Sequence, residues 1–197
     1  MTNKDKVKIA VAIGLTILIG GAAFFVVGRS SKRTAADEVG VTSFDLPALH
    51  LSVASRDETT VVNTSRLVLE DFRGQPLVVN MFASWCTNCD EELPAFVATA
   101  ERLTGQVNFV FVNSNETGNW ESMAKRHGLG AYPIGKDVGG DIVGGTSGNG
   151  LYKALGGTQG MPLTAFYRAD GTLAKVVRGA LTRDSLADKL NEVYGLG

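Results

Sequence analysis

A strand, a helix and a second strand follow one another within residues 77–113, and this order limits the folds open to the chain. "LVVNMF" (77–82) is a near-continuous apolar run, as expected of a strand that is buried on both faces. The next segment changes to helical spacing, with apolar residues recurring from Leu93 to Leu103. "VNFVFVN" (107–113) is a second strand. The two strands are therefore predicted to be parallel neighbours in a βαβ unit.

Three later elements extend this unit toward the C-terminus. Asn119 can cap a short helix that runs to His127, and "LTAFYR" and "LAKVVRG" are two strands joined by a tight hairpin at Asp170–Gly171. Thr182 can cap a final helix with one apolar face. The predicted order is βαβ, a helix and ββα, which indicates an α/β fold with a mixed central sheet flanked by helices.

Two other segments carry weaker signals. Residues 44–76 contain short apolar runs and a turn, and residues 139–160 are rich in glycine and are predicted to form a surface loop. Gly130–Lys136 has the spacing of a phosphate-binding loop, but Asp137 stands where a metal-binding Ser or Thr is required. An acid at that position would repel phosphate, so nucleotide binding is not expected.

The N-terminal region contains an apolar segment, Ile9–Val27, with no charged residue. As a helix it would span about 28 Å of a bilayer core that is roughly 30 Å thick, so it is predicted to be a transmembrane anchor. A cleaved signal peptide and a buried core helix are the alternatives. Against the signal peptide, Arg29, Lys32 and Arg33 precede the first small-residue cleavage site. Three positive charges lie on each side of the segment, so the positive-inside rule leaves its orientation open.

These features divide the chain into four parts. Residues 1–8 form the N-terminal tail, predicted to be cytoplasmic, residues 9–28 the anchor, residues 29–43 a polar linker and residues 44–197 the α/β domain. Residues 34–197 carry 13 basic and 19 acidic side chains, a net charge of −6, which makes nucleic acid an unsuitable partner.

Only two cysteines occur in the chain, Cys86 and Cys89, and three roles are open to them. As a structural disulfide, the pair would close a very short loop and restrain the unfolded chain by only about 2 kcal/mol. As a metal site, it lacks ligands, because His50 and His127 are the only histidines and lie far away in sequence. As a redox pair, it is well placed, because it follows a buried strand and opens a helix.

The helix start favours redox chemistry. Free N–H groups and the helix dipole at that end stabilise a thiolate, so Cys86 is predicted to be the exposed nucleophile. Cys89 lies one turn further on and is predicted to face the interior, where it would resolve a mixed disulfide by attacking the sulfur of Cys86.

The same stretch, "VVNMFASWCTNC", resembles the membrane-anchored thioredoxin-like proteins of the TlpA/ResA/CcmG type, within the AhpC/TSA-like redoxin superfamily. Glu92 and Pro94 fit that family's C-x-x-C-x-x-E-x-P pattern, and "GMPLTAFYRADG" fits its second motif. The resemblance covers about residues 44–195 and implies a thioredoxin-like fold behind an N-terminal transmembrane helix. Asn80 stands where cytosolic thioredoxins carry a buried Asp, which points to the extracytoplasmic members.

The resemblance also implies roles for four further residues. Pro162 is expected to be cis and to lie against the active-site disulfide, while Met161 offers its backbone to an extended substrate. Glu92 is expected to be a buried acid that assists proton transfer at the cysteines; an exposed carboxylate that stabilises the helix dipole is the alternative. Trp85 is expected to shield the pair.

Two positions depart from the family pattern. Asn88 replaces the proline that is common before the second cysteine, and Asp90 replaces the usual Lys or Arg after it. Asp90, Glu91 and Glu92 would together raise the pKa of the first cysteine if all three are ionised. Because a destabilised thiolate favours the disulfide, the protein is predicted to be a reductant.

The expected function is therefore that of a thiol-disulfide oxidoreductase anchored in a bacterial membrane, with its domain on the extracytoplasmic side. Its cofactor would be the Cys86–Cys89 disulfide alone, with no metal. Its partners would be protein disulfides, such as those of apocytochrome c or of a copper-centre protein, and a membrane thiol carrier of the CcdA/DsbD type as electron donor.

Four rival functions remain. The same cysteines could serve a copper-binding assembly module or a disulfide-forming oxidase, and the domain could be purely structural. A thiol peroxidase is disfavoured, because Ala83 and Val79 occupy the Thr and Pro positions of its P-x-x-x-T-x-x-C signature.

Overall fold

The computed structural model of the chain describes residues 43–51, 66–138, 150–158 and 160–196. The predicted anchor, residues 9–28, lies outside these ranges, as does the predicted linker apart from its last residue. Within the described ranges, none of the helices combines the length and the apolarity that a membrane crossing requires.

Seven strands and four helices occur in the described part of the chain. In chain order they are β1 (Asp45–Leu49), β2 (Arg66–Val68), a 3₁₀ turn (Leu69–Phe72), β3 (Leu77–Phe82), α1 (Thr87–Arg102), β4 (Asn108–Asn113), α2 (Trp120–Arg126), a second 3₁₀ turn (Leu129–Ala131), β5 (Ile134–Lys136), α3 (Gly150–Ala154), β6 (Leu163–Tyr167), β7 (Leu173–Arg178) and α4 (Arg183–Tyr194).

The strands form one mixed sheet in the order β2-β1-β5-β4-β3-β6-β7. Strand β3 is parallel to β4, as the βαβ pattern predicts, and antiparallel to β6 on its other side. All six residues of β3 are buried, which explains its unbroken apolar sequence. The predicted mixed α/β sheet is confirmed.

Helix α1 begins at the carboxyl end of β3 and buries one face against the sheet. Leu93 and Phe96 lie on this face and are fully buried, and each such side chain stabilises the fold by about 2 kcal/mol. The helix also packs against α4. This packing fixes the position of the first turn of α1, where the two cysteines lie.

The predicted helix caps are present. Asn119 accepts a hydrogen bond from the N–H of Ser122 at the start of α2, and Thr182 accepts one from Ser185 at the start of α4. Gly128, which follows α2, has a φ of 71°. A side chain at that position would be strained, so glycine ends the helix as expected.

The structure corrects the prediction of an irregular loop over residues 139–160, because residues 150–154 form helix α3. Its first N–H groups, those of Leu151 and Tyr152, donate to the carboxylate of Asp137 at 2.5 and 3.1 Å. Ser114 donates to the same carboxylate at 2.6 Å. The rejection of a phosphate-binding loop agrees with the structure, since residues 134–136 form strand β5 and Asp137 caps a helix.

Candidate active site

Cys86 and Cys89 form a disulfide at the N-terminus of α1, with an S–S distance of 2.10 Å. Cys86 is the N-cap residue, and its sulfur accepts a hydrogen bond from the N–H of Cys89 at 3.0 Å. One N–H group of the helix start, that of Cys89, therefore points at the first sulfur, in line with the predicted helix position. Such N–H groups are the feature that would stabilise a thiolate at Cys86 after reduction.

The prediction that Cys86 is exposed is wrong for this disulfide-bonded form. Only 4% of its surface reaches solvent, against 0% for Cys89. The physical reason is that the disulfide turns the sulfur of Cys86 back over the first turn of α1, where it accepts the Cys89 N–H. Cys86 is nevertheless the more accessible member of the pair, in the order that the sequence predicts.

Glu92 is a buried acid, with 3% of its surface exposed, so the alternative of an exposed first-turn carboxylate is excluded. It lies three residues after Cys89 on the same buried face of α1, a spacing that places the Cβ atoms about 5–6 Å apart. One carboxyl oxygen accepts a hydrogen bond from the side-chain amide of Asn80 at 2.7 Å, and the other accepts one from the N–H of Leu181 at 2.8 Å.

Burial raises the pKa of Glu92 to about 7, against the opposing effect of these two hydrogen bonds, which favour the charged form. A carboxyl group with this pKa is partly protonated and partly ionised at neutral pH. It can therefore accept or release a proton beside Cys89 without a large change in free energy.

Asn80 can support both protonation states of Glu92. Its carbonyl oxygen is buried and has no hydrogen-bond partner, while its NH₂ group donates to Glu92 and, at 3.3 Å, to the hydroxyl of Thr164. A half-turn of the amide would bring the carbonyl oxygen to Glu92, where a protonated carboxyl would donate to it. Thr164 can follow this turn, because a hydroxyl both donates and accepts.

Asp90 is paired with two side chains at the end of α2, those of Arg126 and His127. Its carboxylate lies 2.5 Å from His127 Nε2 and 2.7 Å from an Arg126 nitrogen, and these two hydrogen bonds lower its pKa. The positive charge of Arg126 offsets the negative charge of Asp90, and Glu92 is not fully ionised at neutral pH. The condition that all three acids are ionised is therefore not met, because Glu92 is only partly ionised at neutral pH.

Trp85 is 48% exposed and is the one large apolar side chain exposed in the described part of the chain. Its indole N–H donates to the backbone carbonyl of Asn115 at 2.7 Å. Asn115 has a φ of 52°, in the left-handed region that Asn tolerates better than most residues. This hydrogen bond thus holds a half-exposed ring at the position directly before Cys86 in the chain.

Glu116 joins the turn before the cysteines to the loop after β4. Its carboxylate accepts hydrogen bonds from the N–H and hydroxyl of Ser84, at 2.9 and 2.5 Å. It also accepts from the Asn113 amide and from the N–H of Gly118, both at 2.7 Å. Burial acts to raise the pKa of Glu116, but these four hydrogen bonds together lower it.

The Met161–Pro162 peptide bond is cis, as the resemblance implies. Pro162 directly precedes β6, whose first residue, Leu163, pairs with Met81 near the end of β3. The segment therefore lies at the same end of the sheet as the disulfide. The carbonyl of Pro162 accepts a hydrogen bond from Gly179 at 3.0 Å, which fixes the segment against β7.

No group of three or more His, Cys, Asp or Glu side chains is arranged to hold a metal ion within residues 43–51, 66–138, 150–158 and 160–196. Of the two histidines, His50 is exposed at the end of β1. His127 is engaged by Asp90 at the end of α2.

Sequence reasoning missed three contributors to this site: Glu116, Thr164 and the Leu181 N–H. All three act across long sequence separations, and the Glu116–Ser84 pair spans 32 residues. One local signal was available for Glu116, because the Asn-Glu-Thr-Gly sequence after a buried strand indicates a turn that can carry a functional side chain.

A protein-family model described as "AhpC/TSA family" matches residues 44–172. The chain is 28% identical over 198 residues to thiol-disulfide oxidoreductase ResA of Oceanobacillus iheyensis, covering 98% of this chain and 94% of that protein. It is 26% identical over 127 residues to ResA of Geobacillus thermodenitrificans, covering 64% and 67% of the two chains.

Solved structures with the same fold include two bacterial proteins. One is a putative thiol:disulfide interchange protein DsbE from Chlorobium tepidum, with a TM-score of 0.56 and 20% identity, covering 79% of this chain and 94% of that one. The other is the exposed lipoprotein thioredoxin Etrx1 from Streptococcus pneumoniae, with a TM-score of 0.54 and 22% identity, covering 76% and 98%. These likenesses confirm the predicted thioredoxin-like fold.

Proposed function

Since the chain belongs to the AhpC/TSA family and is a thiol-disulfide oxidoreductase of the ResA/DsbE type, we propose that its Cys86–Cys89 pair reduces disulfides in extracytoplasmic proteins. The observation that carries this proposal is the disulfide at the N-terminus of α1 with the buried Glu92 on the same helix. The helix start would stabilise a thiolate at Cys86, and Glu92 can accept a proton near Cys89.

The proposed reaction moves two electrons to the client. The Cys86 thiolate attacks one sulfur of the client disulfide, so that a Cys86–client disulfide forms and the other client sulfur leaves as a thiolate. The Cys89 thiolate then attacks the sulfur of Cys86 and releases the second client thiolate. The client ends reduced, and Cys86 and Cys89 end as the disulfide seen in the structure.

Glu92 serves the second step. Cys89 is fully buried, and a thiol in apolar surroundings resists ionisation, so it needs a nearby base to become a nucleophile. Glu92, with a pKa of about 7, takes the thiol proton when ionised. Glu91 is exposed and cannot replace it, because its side chain points to solvent.

Glu92 also supports the direction of electron flow. An ionised carboxylate beside Cys89 disfavours a second negative charge and therefore destabilises the thiolate of the reduced pair. An oxidant such as DsbA has the opposite property, a stabilised reduced form. The chain is accordingly proposed to give electrons to its clients, as in cytochrome c maturation or a similar assembly process.

The proposed location and partners rest on the sequence. Residues 9–28 would anchor the chain in a bacterial membrane with the domain on the extracytoplasmic side. Electrons would then arrive from a membrane thiol carrier of the CcdA/DsbD type. A maleimide reagent that does not cross the cytoplasmic membrane tests this topology. It should label reduced Cys86 in intact cells whose cell wall or outer membrane is permeable to the reagent.

A trapping experiment tests the reaction. Cys89→Ser in the full chain leaves Cys86 able to attack a client but removes the thiol that resolves the intermediate. Mixed disulfides between this variant and its clients should accumulate in cells, and dithiothreitol should reduce them. They should be absent from cells that carry the Cys86→Ser variant. Equal amounts of trapped protein in the two single variants would contradict the proposed order of the cysteines.

The reduction potential tests the direction. Measured against glutathione buffers, it should lie well below that of protein disulfide isomerase, about −180 mV. A value of about −120 mV, like that of a strong oxidant, would instead indicate that the protein is a disulfide-forming oxidase. Tight Cu(I) binding without reductase activity would indicate that the protein is a copper-binding assembly module.

A further inference from the structure

A small pocket lies beside the cis Met161–Pro162 bond, at the end of the sheet that carries the disulfide. Its volume is about 120 Å³, and its walls include Tyr152 on one side and Arg178 on another. An apolar protein cavity of about 150 Å³ can hold benzene, so this pocket has room for one short side chain. Neither the disulfide exchange nor the role of Glu92 uses it.

Arg178 brings a positive charge to this pocket. It is the last residue of β7 and pairs with Leu163 across the sheet. Its Nε donates to the carbonyl of Gly156 at 2.7 Å and one terminal nitrogen lies 3.5 Å from the carbonyl of Leu155, at the C-terminal end of α3. These contacts hold the guanidinium plane in a fixed orientation.

The charge of Arg178 has no carboxylate partner among the ion pairs of the described residues. A guanidinium has five N–H donors, and the contacts with α3 use only part of them. The remaining donors are available to a planar acceptor, and carboxylates match the guanidinium fork in two-point contact.

Tyr152 makes the opposite part of the pocket rigid. Its ring lies against Gly157, where an added methyl group would come within 2.5 Å of the ring carbons. Its hydroxyl donates to the carbonyl of Gly160, directly before Met161. Asp137 also accepts a hydrogen bond from the backbone N–H of Tyr152, so both the backbone and the hydroxyl of this residue are held in place.

We propose that this pocket receives a side chain of the client protein next to its reacting cysteine, and that Arg178 selects a short acidic one, Asp in preference to Asn or Lys. This proposal rests on the proposed reduction of protein disulfides. The location supports it, because Leu163, directly after Pro162, pairs with Met81 near the end of β3, so that the pocket and the disulfide lie at the same end of the sheet. A guanidinium that is held at that place without a carboxylate partner among the described residues favours an acid by charge complementarity.

The test uses three oxidised peptides that differ at one position. Each is a symmetric disulfide dimer of a short peptide with a single cysteine, flanked on both sides by Asp, by Asn or by Lys. The full chain in detergent, reduced beforehand and freed of reductant, is mixed with each peptide. The rate of peptide reduction is followed by the change in tryptophan fluorescence and by released thiol.

Wild-type protein should reduce the Asp peptide at least fivefold faster than the Lys peptide, with the Asn peptide between them. Arg178→Gln should bring the three rates within twofold, and Arg178→Glu should reverse their order. Arg183→Gln, at an exposed arginine at the start of α4, is the matched control and should keep the wild-type order. The reduction potential of the cysteine pair should be unchanged in Arg178→Gln, which separates selection of the client from damage to the site.

Equal wild-type rates on the three peptides overturn the pocket proposal and leave the reductase function intact. The same holds if the order survives in Arg178→Gln. Failure of the reduced wild-type protein to reduce any of the peptides overturns both the pocket proposal and the proposed function.

Discussion

The side-chain amide of Asn80, in the central strand, donates to the carboxyl group of Glu92 at 2.7 Å, and both residues are buried. Asn80 lies on β3, directly upstream of the turn that leads to the cysteines, while Glu92 lies on α1, downstream of them. The contact therefore bridges the two sides of the redox pair. Together with the N–H of Leu181, it holds a titratable group in the interior by neutral donors in place of a positive charge.

Glu92→Gln should remove a distinct pH dependence of stability. Because the folded-state pKa of about 7 is raised above the ordinary value of 4.5, the contribution of Glu92 is fully present below pH 4.5 and is lost as the pH rises through about 7. The loss is roughly 3 kcal/mol over that interval. Urea unfolding of oxidised wild-type and Glu92→Gln protein at pH values from 4 to 8 should give a difference that changes by this amount.

Glu91→Gln is the matched control for this measurement, since Glu91 precedes Glu92 and is exposed. It should shift the free energy of unfolding by less than about 0.5 kcal/mol at every pH. A flat difference between wild-type and Glu92→Gln protein from pH 4 to 8 would mean that Glu92 ionises normally in the folded state.

Asn80→Ala should raise the pKa of Glu92 further. The amide donates to the carboxylate and so favours its charged form, and without this donor burial acts with less opposition. If Glu92 is the base for Cys89, the rate of mixed-disulfide resolution should rise with pH at a higher midpoint than in wild-type protein. Stopped-flow measurements from pH 5 to 9 give this midpoint.

Thr164→Val serves as the comparison for Asn80→Ala, because Thr164 contacts the same amide at 3.3 Å without touching Glu92. Its midpoint should move in the same direction by less. A midpoint that stays at the wild-type value in Asn80→Ala would show that the observed titration belongs to another group.

Glu116→Gln should loosen the turn that carries Trp85. The substitution keeps the shape but leaves one acceptor oxygen for four donors, and the amide adds two donors of its own. Lost charge-assisted hydrogen bonds of this kind cost about 2 kcal/mol. Unfolding at neutral pH measures the loss, and fluorescence anisotropy of Trp85 in a Trp120→Phe background should fall. Glu101→Gln, on the exposed side of α1, should change neither quantity.

Tyr152→Phe should weaken client binding without altering the redox pair. Only the hydroxyl that donates to the carbonyl of Gly160 is removed, so the segment before Met161 loses one fixed point. The KM for a protein disulfide should rise about threefold to tenfold, in line with about 1 kcal/mol for one hydrogen bond, while the reduction potential stays at the wild-type value. Tyr132→Phe, whose hydroxyl makes only a 3.4 Å contact with Val97, should leave both quantities unchanged.

The sequence predicted the elements whose hydrophobic pattern is long enough to show a period. Strands β3 and β4 and helix α1 follow from their apolar spacing, and Asn119 and Thr182 mark the helix starts that the structure contains. Strand β5, with three residues, and helix α3, with five, are too short for any period to be read. Their positions depend on partners elsewhere in the chain.

The same distinction holds for the candidate site. The cysteine pair, Glu92 and Pro162 were found because their motif spacing or a family resemblance marks them. Glu116 was missed because its local sequence indicates a turn but does not show that its carboxylate returns to Ser84, which precedes it by 32 residues. The exposure of Cys86 was predicted wrongly because helix position alone does not say how a disulfide turns the sulfur.

The pairing of Leu163 with Met81 places a segment that is synthesised late beside the strand that leads to the cysteines. During synthesis, both cysteines emerge well before β6 exists, so for that interval the thiols meet oxidants and foreign thiols without the neighbouring segment that would restrict them. A nascent or truncated chain that ends before β6 should thus exchange disulfides indiscriminately. If the pocket beside Pro162 selects clients as proposed, the C-terminal strands confer that selectivity on chemistry already present upstream.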